Sequence, residues 1–146
     1  MDGALMTTDP VEITLRGKHI FIIDDNPSNV AIMRIALENV GGICGVDRWG
    51  KETVGRLLKF APVDIILLDL MLAYGKSGYD VFDEIRRVPE LACVPVVIVS
   101  ASDPGVELPK ARAKGFAGYI SKPIRMHTFP SYLRRILAGQ PVWAPI

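Results

Sequence analysis

The stretch His19-Ile20-Phe21-Ile22-Ile23-Asp24-Asp25-Asn26-Pro27 decides the fold. His19–Ile23 is a nearly unbroken apolar run without polar alternation, which reads as a strand buried on both faces, as in a parallel sheet. Asn26 can cap a following helix, with Pro27 at its first position. Three more runs of the same kind follow, Asp64–Leu68, Pro95–Val99 and Ala117–Ile120, with a weaker one at Ile43–Val46. Between them the apolar residues take a helical period: Val30, Met33, Leu37, Val40; Val54, Leu57, Leu58, Ala61; Val81, Ile85, Val88; and, after the last run, Phe129, Leu133, Ile136, Leu137. Gly41–Gly42 ends the first helix. Gly105–Lys114 is a weaker helix candidate, interrupted by Pro109. Strand–helix alternation repeated five times, joined by right-handed crossovers, gives an α/β fold: a doubly wound five-stranded parallel sheet with helices on both faces.

Composition bounds the rest. The 146 residues are enough for one domain with a substantial core. At 49% hydrophobic and 23% charged, the chain is ordinary for a globular protein and unlike a disordered one. Apolar stretches such as Val94–Val99 are far too short to span a bilayer, and no secretory signal is visible, so a cytoplasmic protein without membrane insertion is expected. Cys44 and Cys93 form no CxxC, which argues against a zinc site or a disulfide scaffold; both read as small buried hydrophobes. The organisation expected is a leader at 1–17, a domain at 18–138 and a tail at 139–146, with Val142–Trp143 in the tail either frayed or packed on a neighbouring helix or partner. Residues 100–146 hold seven of the 17 basic side chains and two of the 16 acidic ones. Such a patch attracts an acidic partner or nucleic acid; with no nucleic-acid motif beside it, the plainer reading is the solvent face of a terminal helix.

In open α/β sheets, ligands bind beyond the carboxyl ends of the strands. The first run ends in Asp24–Asp25, Asp64–Leu68 in Asp69, Pro95–Val99 in Ser100–Ala101, and the last is followed by Ser121–Lys122–Pro123. One such aspartate is ordinarily a cap or turn former. Three carboxylates, a hydroxyl and a lysine at one sheet edge are a different matter. Crowded carboxylates repel, and one lysine leaves roughly −2, which suits a hard divalent cation: Mg²⁺, with Mn²⁺ as a possible substitute. A carboxylate beside such an ion is a competent nucleophile towards a phosphoryl group.

The segments Ile22–Pro27, Leu67–Met71, Val99–Ala101 and Ser121–Pro123, in this order and over about Lys18 to Leu137, resemble the motifs of the receiver domains of bacterial two-component response regulators. The resemblance implies a flavodoxin-like topology with strand order 2-1-3-4-5. It implies that Asp69 is the phosphoacceptor, taking the group from a sensor histidine kinase or histidine phosphotransfer protein. Asp25 would ligate Mg²⁺ directly, Asp24 through water, and the Met71 carbonyl would add a backbone ligand. Lys122 would contact the phosphoryl oxygens, Ser100 and the Ala101 amide would hydrogen-bond them, and Tyr119 would be the switch aromatic that turns inward as Ser100 moves. The Lys122–Pro123 bond matches the family's cis peptide, and Met71 and Ser102 its two rate-tuning positions. The protein would then be no enzyme beyond its own phosphorylation and dephosphorylation. With so short a tail, output would be by protein–protein contact: a target on the face of the fourth helix, fifth strand and fifth helix, or a homodimer, and no direct nucleic-acid binding.

Two departures stand out. The fourth position after Asp69 is Ala73 where the family usually has proline, and Gly78 comes at the ninth rather than the eighth, so the Ala73–Ser77 loop is one residue longer. Pro130 should make the last helix begin late or bend. His19 and His127 have no ligand cluster and read as structural or surface residues. Two other functions compete. A non-phosphorylated receiver-like scaffold would be expected to have lost an acidic or lysine position, and none is lost. A phosphatase of the haloacid-dehalogenase type wants Asp-x-Asp after its first strand, whereas Asp24 and Asp25 are adjacent and no cap-domain segment exists.

Overall fold

The computed structural model describes residues 14–145. Strands β1 (His19–Ile23), β2 (Ile43–Asp47), β3 (Ile65–Leu68), β4 (Val96–Ser100) and β5 (Gly118–Ser121) alternate with helices α1 (Pro27–Glu38), α2 (Thr53–Phe60), α3 (Gly78–Arg86), α4 (Pro104–Lys114) and α5 (Phe129–Leu137). The sheet is parallel throughout, in the order β2-β1-β3-β4-β5-β6. The sixth strand, β6 (Val142–Trp143), corrects the expected count of five. The segment expected either to fray or to pack on a neighbouring helix or partner pairs instead with the outer edge of β5, Gly118 against Val142 and Tyr119 against Trp143. The remaining five strands keep the 2-1-3-4-5 order.

Two apolar layers follow from the uninterrupted strands. Ile20, Ile22, Leu67, Val97 and Val99 face α1 and α5, meeting Val30, Met33, Leu37, Leu133 and Ile136. Phe21, Ile23, Ile66, Leu68 and Ile98 face α2, α3 and α4, meeting Leu57, Val81, Ile85 and Ala111. Burial of residues on both sides of each central strand is the cause of the missing polar alternation. Asn26 caps α1, its side-chain oxygen accepting from the Ser28 and Asn29 amides at 2.9 and 3.2 Å, and Gly41 leaves the helix with φ 95°. Helix α5 starts at Phe129, with Pro130 in its first turn.

Several expectations need correcting. Leu58 is exposed rather than core-facing, and Cys93 is exposed, while Cys44 is half-buried against the α1–α5 layer. Helix α4 forms despite Pro109; the Asp103 carboxylate caps its start and Gly115, at φ 98°, its end. Of the leader read over 1–17, residues 1–13 lie outside the described residues; Leu15 is buried in the core, its amide donating to the Val40 carbonyl at 2.8 Å. Ile146 of the tail is likewise outside them. No helix among the described residues is long and apolar enough to cross a membrane.

Candidate functional site

The parallel register brings the carboxyl ends of β1, β3, β4 and β5 to one edge. Asp24 follows β1 and Asp69 follows β3, and the pairing is locked by the Asp69 amide donating to the Ile23 carbonyl at 2.9 Å. Lys122 follows β5; its amide donates to the Ser100 carbonyl at 2.9 Å, and the peptide bond to Pro123 is cis, as expected. A second cis bond, Ala61–Pro62, was not anticipated.

From this position the Lys122 ammonium donates to Asp24 Oδ2 at 2.8 Å and to Asp69 Oδ2 at 2.9 Å. The three side chains are 10%, 1% and 9% exposed, so this is a desolvated triad rather than a surface ion pair. The remaining oxygens are held by the backbone: Asp24 Oδ1 accepts from the Asn26 amide at 2.9 Å and Asp69 Oδ1 from the Met71 amide at 3.3 Å. Burial raises the Asp24 pKa above the ordinary carboxylate value, although Lys122 and the Asn26 amide pull the other way. For Lys122, burial lowers the pKa, and the two carboxylate hydrogen bonds more than offset it, so it ends above the usual lysine value.

Asp24, Asp25 and Asp69 each offer an oxygen, and these lie within 4.8 Å of one another. An all-oxygen set of three carboxylates, two of them buried, fits a hard divalent cation better than a soft one. Met71, whose amide bonds Asp69, is 72% exposed, which leaves this edge of the cluster open to solvent.

Ser100 ends β4, buried, with its hydroxyl turned towards Ser102: Ser100 Oγ donates to Ser102 Oγ at 3.1 Å and accepts from the Ser102 amide at 3.2 Å. Ala101, between them, is exposed. Tyr119 is fully buried, its hydroxyl donating to the Ser102 carbonyl at 2.9 Å, and burial pushes its pKa up to about 12. The longer loop after Asp69 folds back on itself: Ala73–Gly75 makes a 3₁₀ turn, Met71 and Ser77 form an antiparallel bridge, and the Gly78 amide donates to the Leu70 carbonyl at 2.8 Å. Gly78 has no room for a side chain, since a Cβ would collide with the Asp69 carbonyl oxygen and lie 2.8 Å from Leu70 Cα.

One buried acid escaped the sequence reading. Asp47, at the end of β2, accepts from the Thr53 hydroxyl at 2.6 Å and the Trp49 amide at 3.2 Å. Its place at a strand's carboxyl end was the available signal, but Asp47 serves the turn into α2 rather than the triad. His19 has a structural setting: its amide donates to Asp64 Oδ2 at 2.7 Å and its ring meets Phe60 edge-on at 5.5 Å.

Comparison with known proteins gives a match to the response regulator receiver domain over residues 20–134. The polar-differentiation response regulator DivK of Brucella ovis is 30% identical over 120 residues, covering 82% of this chain and 96% of DivK. A probable cyclic di-GMP phosphodiesterase of Vibrio cholerae is 29% identical over 116 residues, 75% of this chain, which spans only 26% of that protein's length. The solved structure of the chemotaxis response regulator CheY4 of Vibrio cholerae superposes with a TM-score of 0.74 at 19% identity, covering 82% of this chain and 98% of that one, a likeness of fold.

Proposed function

Because this chain belongs to the response regulator receiver domain family of two-component systems, we propose that it is a phosphoacceptor switch that takes a phosphoryl group onto Asp69. The observation that carries the proposal is the Lys122 ammonium held at 2.8 and 2.9 Å between Asp24 and Asp69, beside a third carboxylate. A carboxylate oxygen of Asp69 attacks the phosphorus of a phosphohistidine; the O–P bond forms as the N–P bond breaks, and the donor imidazole keeps the electron pair. Lys122 moves from pairing two carboxylates to pairing one carboxylate and the incoming phosphoryl oxygens. The Ser100 hydroxyl, now turned to Ser102, and the Ala101 amide donate to the same oxygens after a small rotation. Asp24, Asp25, Asp69 and the Met71 carbonyl would hold Mg²⁺, or Mn²⁺ in its place. When bound, the ion supplies positive charge against the phosphoryl oxygens. Hydrolysis of the acyl phosphate by water restores Asp69.

The donor would be a sensor histidine kinase or a histidine phosphotransfer protein, in the cytoplasm. The receiver unit would run over 18–138, with 1–17 and 139–146 as flanking segments. Output would pass by protein contact, to a target on the α4–β5–α5 face or to a second copy, without direct nucleic-acid binding. The intact triad gives no support to a non-phosphorylated scaffold. Acetyl phosphate with Mg²⁺ should add one phosphoryl mass to the wild type and none to Asp69→Ala, with chelation abolishing labelling. Equal labelling of the two chains, or none in either, would remove the proposal; sustained turnover of a phosphomonoester would indicate a phosphatase instead.

A further inference from the structure

Strand β6 is attached to the residue beside the site on which the switch reading turns. The Ala144 amide donates to the Tyr119 carbonyl at 2.7 Å, and Trp143 stands in register with Tyr119. In-register neighbours of a parallel pair project to the same face, so the indole lies alongside the phenol. Trp143 and Ala144 pack against the apolar layer that contains Tyr119, Phe116 and Phe82, and the Arg112 guanidinium of α4 covers the indole at 5.0 Å. Gly118 makes the approach possible, since a Cβ there would lie 2.8 Å from the Val142 carbonyl oxygen. Tyr119 in turn reaches the site: its hydroxyl donates to the Ser102 carbonyl, and Ser102 holds the Ser100 hydroxyl.

A phenol is amphipathic and, at an open sheet edge, gains by keeping its hydroxyl in water. Without β6, the outer edge of β5 would be such an edge, and the ring could leave over it. We propose that Trp143 is a positioning residue for Tyr119: β6 closes that exit, holds the phenol inside the sheet–helix layer, and thereby sets the Ser100–Ser102 turn next to Asp69. The positioning stands on the geometry alone; its consequence for phosphorylation rests on the reading of Asp69 above.

The two parts separate in one experiment on the full chain. Tetranitromethane nitration, mapped by peptide mass, reports the accessibility of Tyr119, with Tyr132 on α5 as the internal reference. In the wild type and in Trp143→Phe, Tyr119 stays protected. In Trp143→Ala its nitration relative to Tyr132 rises about fivefold or more, the lower end of coupling between packed elements. Arg112→Ala, which uncovers the indole without touching the core, gives a rise in the same direction and serves if Trp143→Ala does not fold, as judged by circular dichroism. Equal protection of Tyr119 in every folded chain overturns the positioning. In the second arm, initial labelling by acetyl phosphate falls about fivefold in Trp143→Ala and is retained in Trp143→Phe. An unchanged rate alongside an exposed Tyr119 overturns the link to the site. If no chain is labelled, the phosphoacceptor reading fails, and nitration alone decides the positioning.

Discussion

At the scale of single residues, the site is a balance of buried charges with opposite consequences for stability. Lys122 compensates two carboxylates that are almost wholly out of water. Removing one partner of such a group leaves charge uncompensated, so Lys122→Ala should lose about 3 kcal/mol at neutral pH in urea unfolding. Part of that loss should return in acid, as the carboxylates take up protons. Asp24 behaves the other way. Its pKa is raised in the folded state, so the native protein holds that proton more tightly than the unfolded chain. The sign follows: no cost below the unfolded value of 3.8, a growing cost as the pH climbs past it, and the full cost above the folded value. Asp24→Asn should therefore melt higher than the wild type at neutral pH without added metal, the gain vanishing near pH 3. The clustered carboxylates are here maintained against stability. These residues were legible in the sequence because each ends a strand, which is where chemistry is displayed in this class of fold. Asp47 shows the limit of that rule, since it ends a strand too, and only Thr53 on the next turn shows that it closes a loop.

At the scale of elements, continuous apolar runs located every central strand to within about a residue or two. Amphipathic spacing was less decisive in the helices. Leu58 fits the period of α2 but faces water, while Leu57 beside it is fully buried. Proline at position 109 weakened the case for α4, yet the Asp103 cap and the Gly115 terminator carry it. Two glycines separate steric from conformational roles. Gly78→Ala should destabilise by about 1–3 kcal/mol, since the new methyl must push back the Asp69–Leu70 backbone. Gly55→Ala, in an open stretch of α2 with nothing within 4 Å, should stabilise by about 0.5–1 kcal/mol. Thermal melts of the two variants against the wild type check both signs.

For the whole molecule, the sheet order gathers side chains from four segments of the sequence at one edge, so the site exists only in the folded chain. A ligand that needs the folded site must then stabilise the fold. Mg²⁺ at about a hundred times its dissociation constant should add about 2.7 kcal/mol to the wild type, and little to Asp25→Asn, as read by melting temperature against metal concentration. The architecture was legible because five strand–helix repeats allow few topologies. The sixth strand was not: two residues, Val142–Trp143, carry no periodicity, and their place depends on a long-range fit to Gly118.

The loop that departs from the family pattern carries its extra residue inside a closed circuit. The Met71–Ser77 bridge and the Leu72 amide on the Lys76 carbonyl at 3.2 Å cinch its neck, while Lys76 anchors its outer side to Glu84 at 2.7 Å. Length added there is spent in the bight and never reaches the acid below. Such a segment is an interchangeable fitting: sequences of different size spliced between Leu72 and Lys76, with both kept, should leave the carboxylate cluster underneath undisturbed.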